Sequence, residues 1–244
     1  MLLGVVIATY NERENVEPLV RKVMELRLDS GDELQAVVVD DSSQDGTVEI
    51  LRRLESEYPK TLHIIVRKER NRATAAMTGY KHCLEIGCDA ILEMDGDLSH
   101  DPKYIPLFLS LIRFYDVVVG SRYVEGGDVM GWPISRKVIS ACSNVVYRLI
   151  LGTKIHDLSG GYKCYRRRVM ASLNFNEFFS NGYSIGVETL FRCYKKGFSF
   201  LEIPIVFQNR AKGRSKFRWR EAVGALVVVF RLLFTYGRAI RILD

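Results

Sequence analysis

Asp95 and Asp97 stand one residue apart around Gly96, directly after the apolar run Ile91-Leu92-Glu93-Met94. Two carboxylates on a turn at a strand end can approach one hard cation together. Mg2+ or Mn2+ accepts one or two carboxylates and completes its shell with phosphate oxygens and water. A cation held there neutralises charge on a departing diphosphate. Aspartate pairs of this kind are common on solvated turns, so it is the position behind a buried strand that singles this one out.

Two other stretches carry comparable chemistry. Asp40-Asp41-Ser42-Ser43-Gln44-Asp45-Gly46 offers carboxylates to the N–H groups of a base or to ribose hydroxyls. Ser43 or Asp45 also suits the N-terminal cap of a helix starting near Thr47. Capping by Asp45 and ligand binding by Asp40 and Asp41 are compatible. Tyr10-Asn11-Glu12-Arg13-Glu14-Asn15 offers Tyr10 for stacking on a base and Glu12 as an acceptor, with Asn15 as a possible helix cap.

The surrounding pattern predicts what positions these groups. Apolar runs rich in branched residues predict buried strands at 2–9, 34–39, 63–66, 90–94 and 116–120. Apolar residues at helical spacing predict helices at 15–28, 46–58 and 73–86. Alternation of strand and helix predicts an α/β fold with a mostly parallel central sheet flanked by helices. Ligands of such sheets sit beyond the carboxyl ends of the strands, where all three polar stretches fall. Further on, a helix is expected over 136–151 with Ile139, Cys142, Val146 and Leu149 on its apolar face, a strand over 199–207 and a helix over 219–236.

The 244 residues suit one large domain, and a hydrophobic fraction of 48% supports a substantial core. The net charge of +6 favours anionic partners. Six basic residues fall between Arg210 and Arg220, alternating with Gly213, Ser215, Phe217 and Trp219. That alternation suits an arm closing on phosphates better than a solvated loop, and it lacks a nucleic-acid reading motif. The five cysteines form neither a C-x-x-C pair nor an even disulfide framework, which points to reduced thiols in the cytoplasm. The chain enters an apolar strand without a basic leader. The apolar segment 222–236 is too short for a bilayer span and contains Arg231.

A-T-Y-N-E-R-E-N (8–15), V-V-D-D-S-S-Q-D-G-T (38–47), M-D-G-D-L-S-H-D-P (94–102) and G-S-R-Y-V-E-G-G (120–127) resemble the inverting family-2 glycosyltransferases, and among them the dolichol-phosphate mannose synthases. W-P-I-S-R-K-V-I-S (132–140), D-L-S-G-G-Y-K-C-Y-R-R (157–167) and R-A-K-G-R-S-K (210–216) extend the likeness over nearly the whole chain. The resemblance implies a single GT-A type domain, with a catalytic part over 1–218 and an amphipathic helical segment over 219–244. It implies that Ala8, Tyr10, Glu12, Val38, Asp40 and Asp41 line the nucleotide site. Asp95, Gly96 and Asp97 would hold the donor diphosphate and a Mg2+ or Mn2+ ion. Arg122, Arg136 and Ser140 would bind the phosphate of a dolichyl or other polyprenyl phosphate acceptor, while Arg210 and Lys216 would close over the donor.

The implied reaction moves a hexose, mannose from GDP-mannose foremost, onto the lipid phosphate with inversion. Transfer from a UDP-sugar and non-catalytic nucleotide-sugar binding are the alternatives. Three departures stand out. Ala8 replaces a frequent proline. Ser99, counted with Asp95 and Asp97 in the metal set, replaces a glutamine of some relatives. Asn71–Ala76, N-R-A-T-A-A, lacks the glycines usual there. The expected setting is the cytoplasmic face of a membrane, with helices 136–151 and 219–236 lying on the lipid surface and a small membrane-anchoring subunit as a further partner.

Overall fold

The computed structural model describes residues 1–210 and 219–237. The first half alternates as expected: β1 (Leu2–Thr9), α1 (Arg13–Met24), β2 (Glu33–Asp40), α2 (Thr47–Glu57), β3 (Leu62–Val66), α3 (Arg72–Glu85) and β4 (Ala90–Asp95). It continues through α4 (Ile105–Leu111), β5 (Val117–Ser121), β6 (Asp128–Met130) and α5 (Ile134–Leu151). The last part holds β7 (Lys163–Arg166), α6 (Arg167–Ala171), α7 (Ile185–Lys195), β8 (Phe200–Pro204), β9 (Val206–Gln208) and α8 (Trp219–Tyr236).

The main sheet runs β3-β2-β1-β4-β7-β5-β8. β1 pairs in parallel with β2 and β4, whereas β7 is antiparallel to both β4 and β5. In register, Thr9 lies opposite Asp40 and Ala8 opposite Asp95. The three polar stretches therefore leave the sheet along one edge.

Successive strand residues face opposite sides, and both sides are packed. Val6, Val37, Val39 and Ile91 join one apolar cluster with residues of α3 and α7. Val5, Ile7, Val38 and Leu92 join another with residues of α1 and α2. Helix α3 lies so close to β1 that a Cβ on Gly79 would come within 2.3 Å of Val6 Cγ1.

One expectation needs correction. The strand foreseen over 199–207 divides at Ile205, so that β8 stays in the main sheet beside β5 and β9 pairs with β6. The apolar face of α5 points outward, as a face meant for a lipid surface would. Ile139 and Leu149 are each 61% exposed, and the helix buries Asn144, Tyr147 and Leu151 instead. Helix α7 was not foreseen because every residue from Ile185 to Tyr194 is buried. A helix covered on all sides has no polar face to mark its period.

Candidate active site

A cavity of about 250 Å3 opens at the carboxyl edge of the sheet. Ala8, Tyr10, Glu12 and Asp41 line one part, Asp95, Gly96, Asp97 and Ser99 its floor, and Arg122, Arg136, Ser140 and Arg210 the remainder. Val38 and Asp40 are not brought to its wall. The Val38 side chain is fully buried in the apolar cluster. Asp40 spends its carboxylate on the loop, accepting from Thr9 Oγ1 at 2.8 Å, Ser43 N at 2.7 Å and Ser43 Oγ at 2.6 Å. Lys216 lies outside the described residues.

The first two loops are laced together. Asn11 N donates to Ser43 Oγ at 2.7 Å, Glu12 N to Thr47 Oγ1 at 3.0 Å and Gln44 N to Asn11 Oδ1 at 2.9 Å. Asp45 accepts from Thr47 N at 3.1 Å, but from one residue outside the N-cap position, which Gly46 occupies without a side-chain cap. Asn15 lies inside α1 rather than capping it, and its amide donates to Glu12 Oε2 at 2.8 Å. Asn11, Ser42 and Leu98, one in each site loop, adopt positive φ values of 50°, 55° and 64°. Left-handed backbone is unfavourable for such residues and concentrates where a structure is held for function.

Asp41 meets Arg67 Nε at 3.0 Å and accepts from Asn71 N at 2.9 Å. Burial pushes its carboxyl upward despite Arg67. The guanidinium of Arg70 lies 3.9 Å from the centre of the Tyr10 ring, showing that this face accepts a flat group.

At the aspartate pair, Arg72 Nη2 donates to Asp95 Oδ1 at 2.5 Å and Arg210 Nη2 lies 2.9 Å from Asp97 Oδ2. Ser99 N donates to Asp97 Oδ1 at 3.1 Å, and Asp95 N to His100 Nδ1 at 3.0 Å. Burial works to raise the Asp95 carboxyl, but Arg72 and His100 outweigh it and hold it at about 2. Asp95 thus presents ionised oxygens to the cavity. Among the described residues no cluster of three or more His, Cys, Asp or Glu could hold a metal. A two-carboxylate set fits Mg2+ or Mn2+ that takes its other ligands from phosphate and water.

Further cations line the same cavity. Arg122 donates from Nε to Asp157 Oδ2 at 2.7 Å and from Nη2 to Asp157 Oδ1 at 2.8 Å, with Ser159 Oγ at 2.9 Å. Burial alone would lower its pKa, but Asp157 raises it above the ordinary value. The guanidinium of Arg136 stacks 3.8 Å from the Trp132 ring centre. Tyr123 donates to Ser140 Oγ at 2.6 Å.

Sequence reasoning assigned no role to Asp157, Trp132, Arg72 or Glu93. Glu93 offered a signal, as an acid inside an apolar strand. It is buried, accepts from Tyr80 Oη at 2.5 Å and stands opposite fully buried Lys163 across β4 and β7. Burial brings Lys163 down to about 8.

The profile of glycosyl transferase family 2 matches residues 4–173. The chain is 36% identical over 214 residues to the polyprenol monophosphomannose synthase of Mycolicibacterium smegmatis, covering 87% of this chain and 79% of that one. It is 36% identical over 247 residues to the dolichol-phosphate mannosyltransferase of Pyrococcus furiosus, covering 99% of this chain and 66% of that one. Its fold matches glucosyl-3-phosphoglycerate synthase from Mycobacterium tuberculosis, solved with Mn2+, UDP and glucosyl-3-phosphoglycerate, with a TM-score of 0.68 at 16% identity over 97% of this chain and 80% of that one. A profile that spans most of the chain, carried on a GT-A sheet whose aspartate pair and arginines line one cavity, places this protein in glycosyl transferase family 2.

Proposed function

We propose that the chain transfers mannose from GDP-mannose to dolichyl or another polyprenyl phosphate, with inversion at the anomeric carbon and with Mg2+ or Mn2+. The observation that carries this is one cavity lined by both the aspartate pair and Arg122, Arg136 and Trp132. The two mannosyltransferase relatives, similar over most of the chain, supply the sugar and the acceptor class.

The nucleotide occupies the side lined by Ala8, Tyr10, Glu12 and Asp41. Tyr10 stacks on the base, and Glu12 and Asp41 accept from base or ribose. Asp95 and Asp97, with Ser99 beside them, would hold the metal, which would supply positive charge to offset that of the diphosphate leaving group. An acceptor phosphate is already an anionic nucleophile at neutral pH, so no strong base is needed. The difficulty is bringing one anion up to another. Nε and Nη2 of Arg122 are engaged with Asp157 and Ser159, so Nη1 and the stacked guanidinium of Arg136 bind and screen the acceptor, beside Ser140. Arg210 moves from Asp97 to the donor diphosphate and, with Lys216, stabilises it as it departs. A single displacement inverts the anomeric carbon.

The lipid reaches these arginines along α5. Ile139, Val146 and Leu149 on α5 and Val227, Phe230 and Phe234 on α8 are exposed, and the two helices pack together. Arg231 stacks on Phe179 at 4.1 Å. No helix among the described residues is long and apolar enough to cross a membrane. Helix α8 packs against α5 and α7 and lays its apolar face on the bilayer, where a small anchoring subunit would also meet it. Five free cysteines fit the reducing cytoplasmic side.

The test is incubation with short polyprenyl phosphate and Mg2+ or Mn2+, with radiolabelled GDP-mannose and UDP-glucose in parallel. Organic-phase label from GDP-mannose that disappears with chelator supports the proposal. Label from UDP-glucose alone corrects the sugar. No label from either, with nucleotide bound, overturns it.

A further inference from the structure

We infer that Arg72 is a built-in counter-cation that competes with the divalent metal for Asp95, so that the metal binds tightly only together with the donor diphosphate. This rests on the proposed metal role of Asp95 and Asp97.

Arg72 is the first residue of α3, in the segment where the usual glycines are missing. Its Nη2 lies 2.5 Å from Asp95 Oδ1 and 3.5 Å from Glu93 Oε1. Space for this arrangement is built into the fold. A Cβ on Gly161 would come within 3.1 Å of both Arg72 Nη2 and Asp95 Oδ1. Arg210 makes the matching contact with Asp97.

A hard cation entering between the aspartates meets carboxylate oxygens already engaged by guanidinium groups. It also meets the repulsion of a second positive charge at short range, in a partly buried site where screening is weak. Glu93 gives Arg72 somewhere to go. That carboxylate is buried and already lies 3.5 Å from Arg72 Nη2, so a small shift away from Asp95 keeps one charged partner and does not strand the guanidinium. A nucleoside diphosphate changes the balance by bringing negative charge into the cavity. It attracts Arg72 and Arg210 away from the aspartates and adds ligands to the metal. Metal and nucleotide must then strengthen each other's binding by the same factor.

The experiment titrates Mn2+ into the full chain, with and without GDP, and reads free Mn2+ by electron paramagnetic resonance. Arg72→Leu and Arg72→Lys are compared with the parent protein, with circular dichroism and the thermal midpoint as the check that each is folded. Expected is parent Mn2+ affinity at least tenfold tighter with GDP. Without GDP, Arg72→Leu binds Mn2+ at least tenfold more tightly than the parent and shows a smaller GDP effect, while Arg72→Lys stays near the parent. Mn2+ binding by Arg72→Leu no tighter than the parent's overturns the inference alone. Absence of Mn2+ binding in all three proteins even with GDP overturns the metal role of the aspartates, and this inference with it.

Discussion

Arg122 and Asp157 form a two-bond ion pair in the wall of the cavity, with the Asp157 carboxylate fully buried and its Oδ1 also accepting from Gly160 N at 2.8 Å. The pair fixes a guanidinium that would otherwise sample many positions. Asp157→Ala leaves that guanidinium buried without its partner, which costs about 3–5 kcal/mol of stability, read by urea denaturation. Arg122→Lys keeps the charge but loses the planar fork. It is expected to fold and to lose at least tenfold in turnover. A Lys variant with parent turnover would show that orientation at this position does not matter.

Asp97 joins the donor side to the basic arm through Arg210. Asp97→Asn keeps its size and one acceptor but removes the charge. Turnover should fall by about 100-fold or more, in the range seen when one electrostatic contact to a leaving group is lost. Circular dichroism should be unchanged. Near-parent turnover would remove Asp97 from the mechanism.

Gly96 has no room for a side chain. An added Cβ would lie 2.9 Å from Thr9 Cγ2 and 3.1 Å from the Ala8 carbonyl oxygen. Since the second neighbour is backbone at the end of β1, relief must displace one of the two site loops. Gly96→Ala should destabilise by about 1–3 kcal/mol and weaken nucleotide binding, measured by calorimetry. Parent affinity would mean that the loop accommodates the methyl group without moving the aspartates.

Much of this site was legible because its parts lie at strand ends. A buried parallel strand is a run of branched residues, and the polar residue that stops the run marks the edge where ligands bind. Asp41, Asp95 and Asp97 follow from that alone. Asp40 does not, since adjacent carboxylates at a strand end cannot be told apart without the turn geometry that folds one back onto Thr9 and Ser43. Asp157 and Arg72 escaped for another reason: their partners are 35 and 23 residues away in the chain, and no local period reports such a pairing. The short strands β6 and β7 were equally hidden, β7 by Lys163, a charged residue that is buried with its Nζ donating to the Leu158 carbonyl and Glu93 opposite it on β4.

Acid should weaken the fold in two stages. Burial, with His82 nearby, lowers the pKa of His63, and burial lowers that of His100. Their full contribution is present above about 6.5 and is lost as pH falls below it, because the unfolded chain takes up protons first. Asp157 and Asp116 are held below the usual carboxylate range, where Arg122 and the hydrogen bonds from Ser199 and Arg168 outweigh burial. With Asp95 they lose stability as pH falls below about 3.8, while Asp41 acts in the opposite direction. Denaturation midpoints should decline from pH 7 to 5 and again below 4. His63→Asn should shrink the first decline.

The exposed stripe on α5 and α8 should govern lipid contact without touching chemistry. Leu149→Glu with Phe234→Glu places charges on two of its outward positions, 61% and 84% exposed. The double variant should fail to float with anionic vesicles yet bind GDP as the parent does. Flotation equal to the parent would remove this face from membrane binding.

The most direct test is transfer of labelled mannose from GDP-mannose to a short polyprenyl phosphate and, in parallel, to the same polyprenol lacking its phosphate. Label in the organic phase with the phosphate alone, abolished by chelator and strongly reduced in Arg122→Lys, is the expected result. Equal labelling of both lipids, or labelling indifferent to Arg122, would contradict a cavity that works by holding an acceptor phosphate against its arginines.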